Sequence, residues 1–209
     1  MNRALIAMLA AAVALQGCVP VVIGAGGAAA YSSLEDRRTT GTQIDDESIE
    51  VRASNRVNDR FGSSVHVNVT SYNRVALLSG EVPDERSRTE AEKIVRAVPT
   101  VRDVTNDLQI SGISSLASRG NDSYLTLKVR GRLLDAKALS QVHIKVVTES
   151  GVVYLMGLVT QTEADEAVEM ARNTGGVRKV VKVFEYCAEG SDQCRPRQAP
   201  TAPKPKPKS

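Results

Sequence analysis

Five side chains carry most of the reactive chemistry open to this 209-residue chain: three cysteines and two histidines. Cys18 closes the tetrapeptide Leu15-Gln16-Gly17-Cys18, behind Arg3 and an uncharged apolar run over 4–15. That is the form of a signal peptide ending in a lipobox, whose cysteine thiol becomes thioether-linked to diacylglycerol. Gln16 is less usual there than Ala or Ser. The competing reading is an uncleaved anchor continuing through the apolar residues 19–30, against which stand Gly17, Gly24, Gly26 and Gly27. Cleavage leaves 192 residues starting at Cys18. Export places the other two cysteines, Cys187 and Cys194, in an oxidising compartment, where they are expected to form a disulfide closing a six-residue loop. Such a bond stabilises by about 2–3 kcal/mol; a zinc site here would need two more ligands, which are not nearby. His66 and His143 have no Cys, Asp or Glu cluster at ligand spacing and read as strand-surface residues. No Ser-His-Asp set, nucleophile elbow or supported carboxylate pair is present, so catalysis, a metal and a cofactor are not expected. Gly24-Ala25-Gly26-Gly27-Ala28-Ala29 matches a dinucleotide pattern only superficially, because no buried strand precedes it.

A second kind of chemistry is interfacial. At 100° per residue Tyr124, Leu127, Gly131 and Leu134 fall on one stripe flanked by Lys128 and Arg130. Apolar tips with bordering cations suit an acyl boundary and lipid phosphates. The candidate lipid-binding set is Tyr124, Leu127, Lys128, Val129, Arg130 and Leu134, although Val129 also continues the core series Leu125, Val129, Leu133. The alternative is that this stripe packs against the first half of the chain. Nucleic acid is not expected as a partner, since the strands offer no aromatic platform and the compartment is wrong.

These residues are positioned by an internal repeat with an offset of 76 to 77. Ser64-Val65-His66-Val67-Asn68-Val69 falls on Gln141-Val142-His143-Ile144-Lys145-Val146, and 75–82 falls on 152–159. Each copy implies a helix with a buried series (Ile49, Ala53, Val57; Leu125, Val129, Leu133), then strands at 65–71 and 74–82 or 142–148 and 151–159. Asn73 and Ser150-Gly151 mark tight turns. Helices at 84–98 and 161–174 follow, the second opened by the capping box Thr160-x-x-Glu163. Strands at 101–110 and 177–186 close the copies. The class is α+β, each copy α-β-β-α-β with a three-stranded mixed sheet packed by two helices. Copies of about 65 residues are small enough to need each other's surface.

The repeat is also a control on charge. In residues 45–60 Asp45, Asp46, Glu47, Glu50 and Asp59 outweigh three arginines, whereas in 124–139 Lys128, Arg130, Arg132 and Lys137 face Asp135 alone. The formal net charge of +3 is therefore local: Arg195, Arg197, Lys204, Lys206 and Lys208 crowd a Pro- and Lys-rich tail, and 18–194 is mildly acidic.

Two α-β-β-α-β copies with Leu78-Ser79-Gly80 and Leu155-Met156-Gly157 at strand ends resemble BON domains. Residues 36–46, Asn121-Asp122-Ser123-Tyr124 and 152–160 are similar to dual BON-domain outer-membrane lipoproteins, over roughly 15–186. The resemblance implies a palmitate-bearing, non-enzymatic protein on the periplasmic face of a Gram-negative outer membrane. It further implies support of envelope integrity, a link to the division site, and binding of anionic, phosphatidylglycerol-like phospholipid by the second domain. The alternative it leaves is an adaptor for an outer-membrane assembly complex. Val19, in place of an inner-membrane retention Asp, fits outer-membrane sorting. The expected organisation is signal peptide 1–17, lipid-anchored linker 18–43, first domain 44–112, linker 113–121, second domain 122–187 and tail 188–209. The tail is expected to be extended, either as a solubiliser or as a reach toward peptidoglycan or an anionic partner.

Overall fold

A computed structural model describes residues 36–134 and 144–195. The lipobox with Cys18, His143 and the end of the tail lie outside the described residues.

In the first copy α1 (Thr40–Phe61) is capped by the Thr39 hydroxyl, which accepts from the Thr42 amide at 2.9 Å, and it buries Ile49, Ala53 and Val57. Strands β1 (His66–Tyr72) and β2 (Val75–Val82) form an antiparallel hairpin. Helix α2 (Glu85–Arg96) starts at Asp84, whose carboxylate accepts from the Ser87 amide. It returns the chain to pair in parallel with β2 through β3 (Asp103–Asn106) and β4 (Gln109–Ile110). The second copy repeats this with α3 (Leu116–Leu134), β5 (Ile144–Glu149), β6 (Val152–Val159), α4 (Gln161–Arg172) and β7 (Lys179–Tyr186), order β5-β6-β7. The Thr160–Glu163 capping box is formed in full.

Both hairpins turn through two residues of positive φ, Asn73 (51°) and Arg74 (66°), then Ser150 (50°) and Gly151 (72°). This geometry matches the twist of paired strands. A helix carboxylate holds each turn. Asp46 accepts from the Asn73 and Arg74 amides at 2.9 and 2.7 Å, and Asp122 from those of Ser150 and Gly151 at 2.9 and 2.8 Å. Asp46 is thus a buried turn anchor rather than one of the surface acids of α1.

Alternation along the strands gives each sheet two covered faces. Ala76, Leu78 and Val82 meet α1 and α2, and Val153, Leu155 and Val159 meet the helices of the second copy. The opposite faces meet each other through Tyr72, Leu77, Tyr154 and Met156, with Val147, Leu158, Val181 and Val183 around them. The expected packing of the copies is therefore sheet against sheet. Polar bonds border it: Lys145 to Glu50 at 2.5 Å, Tyr154 Oη to Asp107 at 2.9 Å, Asn73 to Glu185 at 3.0 Å, and Arg102 to Glu185.

Three boundaries differ from expectation. Residues 36–43 are not a free polar linker, because their charges find partners within the fold. Arg37 lies buried, donating to both carboxylate oxygens of Glu163 at 2.7 Å and to the Leu158 carbonyl at 2.8 Å. Arg38 pairs with Asp36 and Asp46 and stacks 4.0 Å above the Tyr72 ring. Most of 113–121 is helix rather than linker, since α3 begins at Leu116, with the Ser115 hydroxyl accepting from the Ser118 amide. The final strand expected at 101–110 divides into β3 and β4 where Leu108 turns into the core. Past β7, Cys187 and Cys194 are joined, with Cα atoms 5.7 Å apart.

Candidate functional site

Helix α3 presents two opposed faces. Asp122, Leu125, Val129 and Leu133 are buried. Leu116, Tyr124, Leu127 and Leu134 stand 81%, 59%, 65% and 64% exposed. Helical geometry brings Leu116, Gly120, Tyr124, Leu127, Gly131 and Leu134 within an arc of about 80°. Nothing lies within 4 Å of where a Cβ would stand at Gly120 or Gly131. The result is a continuous apolar ridge along nearly the whole helix.

Cations border both sides, Arg119 and Arg130 on one and Lys128 and Arg132 on the other. Several are held in place. Lys128 Nζ donates to the Gly175 carbonyl at 2.6 Å and sits 5.5 Å from the centre of the Tyr124 ring. Arg130 reaches the Val146 carbonyl at 3.3 Å, and Arg119 the Ser114 carbonyl at 2.9 Å. The one acid of the helix, Asp122, is committed to the β5–β6 turn.

Of the residues picked out by sequence, Tyr124, Leu127 and Leu134 share the exposed ridge, and Lys128 and Arg130 flank it. Val129 does not belong with them. Two residues past Leu127, it is rotated by about 200° and points into the core. Leu116 was missed, because 113–121 read as linker; its signal was the 11-residue spacing to Leu127, three helical turns. The alternative that the ridge packs on the first copy does not hold, since the sheets make that contact. In α1 the equivalent positions are Thr40, Ile44, Ser48, Val51, Asn55 and Asn58. Ile44 and Val51 are exposed there, but polar residues interrupt the ridge and Glu47 lies beside it.

His66 corrects a second expectation. It is half-buried rather than on a strand surface, because β1 turns it toward the other sheet. There its Nε2 lies 3.5 Å from Glu149 Oε1. Burial pushes the Glu149 carboxyl up; the Asn68 hydrogen bond and His66 oppose this, while Glu81 and Asp122 add to it. Sequence spacing could not reveal this cluster, since its members come from three strands and both copies.

Among the described residues no helix is long and apolar enough to cross a membrane. The BON domain model matches twice, at 43–112 and 121–188. The chain is 40% identical over 181 residues to the outer membrane lipoprotein DolP of Haemophilus influenzae, covering 86% of this chain and 93% of that one. It is 31% identical to a 21 kDa hemolysin of Actinobacillus pleuropneumoniae, covering 72% of this chain and 79% of the relative. It is 28% identical to the osmotically inducible protein Y of Escherichia coli, covering 67% and 72%.

Proposed function

The chain belongs to the BON domain family, two domains in tandem, and from that premise we propose that it is an outer-membrane lipoprotein whose second domain docks α3 on anionic phospholipid. The observation that carries this reading is the exposed ridge from Leu116 to Leu134, bordered along both sides by cations. Leucine tips and the Tyr124 ring would enter the acyl boundary, while Arg119, Lys128, Arg130 and Arg132 meet lipid phosphates. Burying a leucine contributes about 1.5–3 kcal/mol. Each cation near an anionic surface adds about 1 kcal/mol. Their sum suits a reversible contact made alongside an N-terminal lipid. Gly120 and Gly131 carry no side chain to hold the helix backbone away from the headgroups.

The rigid part of the fold supports the same reading. Asp122 and the core series Leu125, Val129 and Leu133 fix the rotation of α3, so the ridge needs no rearrangement before it meets a bilayer. The similarity to an outer membrane lipoprotein supports the compartment in which such lipid would be met. We attach the links to envelope integrity and the division site to this same contact.

Leu134→Glu tests the reading. Binding to phosphatidylglycerol vesicles is expected to weaken while the circular dichroism spectrum stays native; unchanged binding would overturn it. A photo-crosslinker at position 134 in intact cells should yield lipid adducts. One dominant protein adduct would instead favour an adaptor for an assembly complex.

A further inference from the structure

Between the two sheets, donor atoms of His66 on β1, Glu81 on β2 and Glu149 on β5 all lie within 4.8 Å of one another. Glu81 and Glu149 are only 3% and 5% exposed. Their partners are few and neutral. Glu81 accepts from Ser150 Oγ at 3.1 Å and the Ser114 amide at 3.2 Å, and Glu149 Oε2 accepts from the Asn68 amide group at 2.5 Å. Glu149 Oε1 is buried with no hydrogen-bond partner and faces the imidazole. Among the described residues neither carboxylate pairs with a lysine or arginine. Two buried carboxylates without a cation are costly, because the low-dielectric interior penalises unpaired charge.

The repeat shows that the fold does not require acids here. Leu158 of the second domain is the equivalent of Glu81, and Tyr72 of the first domain is the equivalent of Glu149. Both counterparts take part in the apolar packing between the sheets. The mirror-image half of the interface is thus built from apolar groups, while this half carries a histidine and two carboxylates.

We propose that His66, Glu81 and Glu149 form a divalent-cation site that takes Zn²⁺ and ties the two BON domains together. One imidazole nitrogen with two carboxylates suits a borderline ion such as Zn²⁺ better than Mg²⁺ or Ca²⁺, which prefer all-oxygen shells. Two atoms each about 2.1 Å from one ion lie at most about 4.2 Å apart. The His66–Glu149 pair already meets that limit, and the widest separation closes with a shift of several tenths of an ångström. A groove of 540 Å³, lined by His66, Asn68, Thr126 and Glu149, supplies a route in and room for a water as fourth ligand. The ion would offset the charge of both carboxylates and supply the partner that Glu149 Oε1 lacks.

The test uses the full-length chain in detergent, stripped with a chelator and titrated with Zn²⁺ by calorimetry and thermal melting, with Co²⁺ as an optical probe. One Zn²⁺ per chain, a raised Tm and a four-coordinate Co²⁺ spectrum are expected. Glu149→Gln and His66→Asn should each weaken Zn²⁺ binding by about 100-fold or more. Glu81→Leu, which copies the other domain, should keep the fold without metal and lose the Zn²⁺-dependent rise in Tm. Absence of stoichiometric Zn²⁺ binding by the unaltered chain overturns the proposal, and so does Zn²⁺ stabilisation that persists in Glu81→Leu.

Discussion

Asp46 and Asp122 hold the same place in the two domains, and each buried carboxylate accepts both amides of the hairpin turn beside it. A carboxylate offers several acceptor sites and an amide oxygen fewer, so the pairing explains an acid on an otherwise buried helix face.

Asp122→Ala is expected to lower stability by about 2–3 kcal/mol, because two turn amides lose a charged acceptor within the fold, and Asp46→Ala by more, because Arg38 and the Ser71 hydroxyl lose that partner too. Asp→Asn should cost less in both domains. Urea unfolding of the four variants checks the ranking, and a neutral Asp122→Ala would show that the turn holds itself.

Arg37→Ala and Glu163→Gln should each free the segment before α1, at a cost of about 3 kcal/mol for stranding one member of a buried pair. The pair also predicts a pH dependence. Burial raises the Glu163 carboxyl, but the Arg37 bonds and the Thr160 amide outweigh it and hold the carboxyl below the usual 4.5. The unfolded chain therefore takes up this proton first. The pair's contribution is full above pH 4.5 and is lost as pH falls through the lower folded value. Hydrogen-exchange protection at residues 38–43, taken against the intrinsic rate at each pH, should fall over that acid range, and Glu163→Gln should show low protection at neutral pH as well.

Leu116→Glu and Leu127→Glu should both weaken vesicle binding, because the proposed ridge starts two turns before Tyr124. Val51→Glu, at the position in α1 equivalent to Leu127, should leave binding unchanged. Raising the salt concentration should weaken wild-type binding, since Arg130 and Arg132 are exposed and Arg119 and Lys128 only half-buried, so that salt screens their attraction to lipid phosphates. Val129→Ala separates packing from contact: it should cost about 2 kcal/mol of stability and leave the affinity of the folded protein unaltered.

Gly80→Ala should destabilise the first domain by about 2 kcal/mol or more. Gly80 has φ +112°, and an added Cβ would stand 2.1 Å from the His66 carbonyl oxygen. Thermal melting checks this, and since β1 carries His66, the same variant should impair Zn²⁺ stabilisation.

Much of this fold was legible in one dimension. Ile49, Ala53 and Val57 repeat at helical spacing and occupy the core, and Thr160 with Glu163 forms the cap its spacing announces. The ridge residues Tyr124, Leu127 and Leu134 were legible for the same reason, with the acidic α1 as contrast. Leu116 and the charges of 36–43 were not. Read locally, polar residues look solvated, and nothing near Arg37 in sequence announces Glu163, 126 residues away.

The sequence by itself determined the tandem α-β-β-α-β order, the core series and the unequal charge of the two first helices, because periodicity and turn chemistry act between neighbours. Only the tertiary structure decided that the domains meet through their sheets, and so which face of α3 stays exposed. It also decided that His66, Glu81 and Glu149 share one buried space. Alternation tells which residues share a strand face, but what covers that face depends on long-range packing of the two copies.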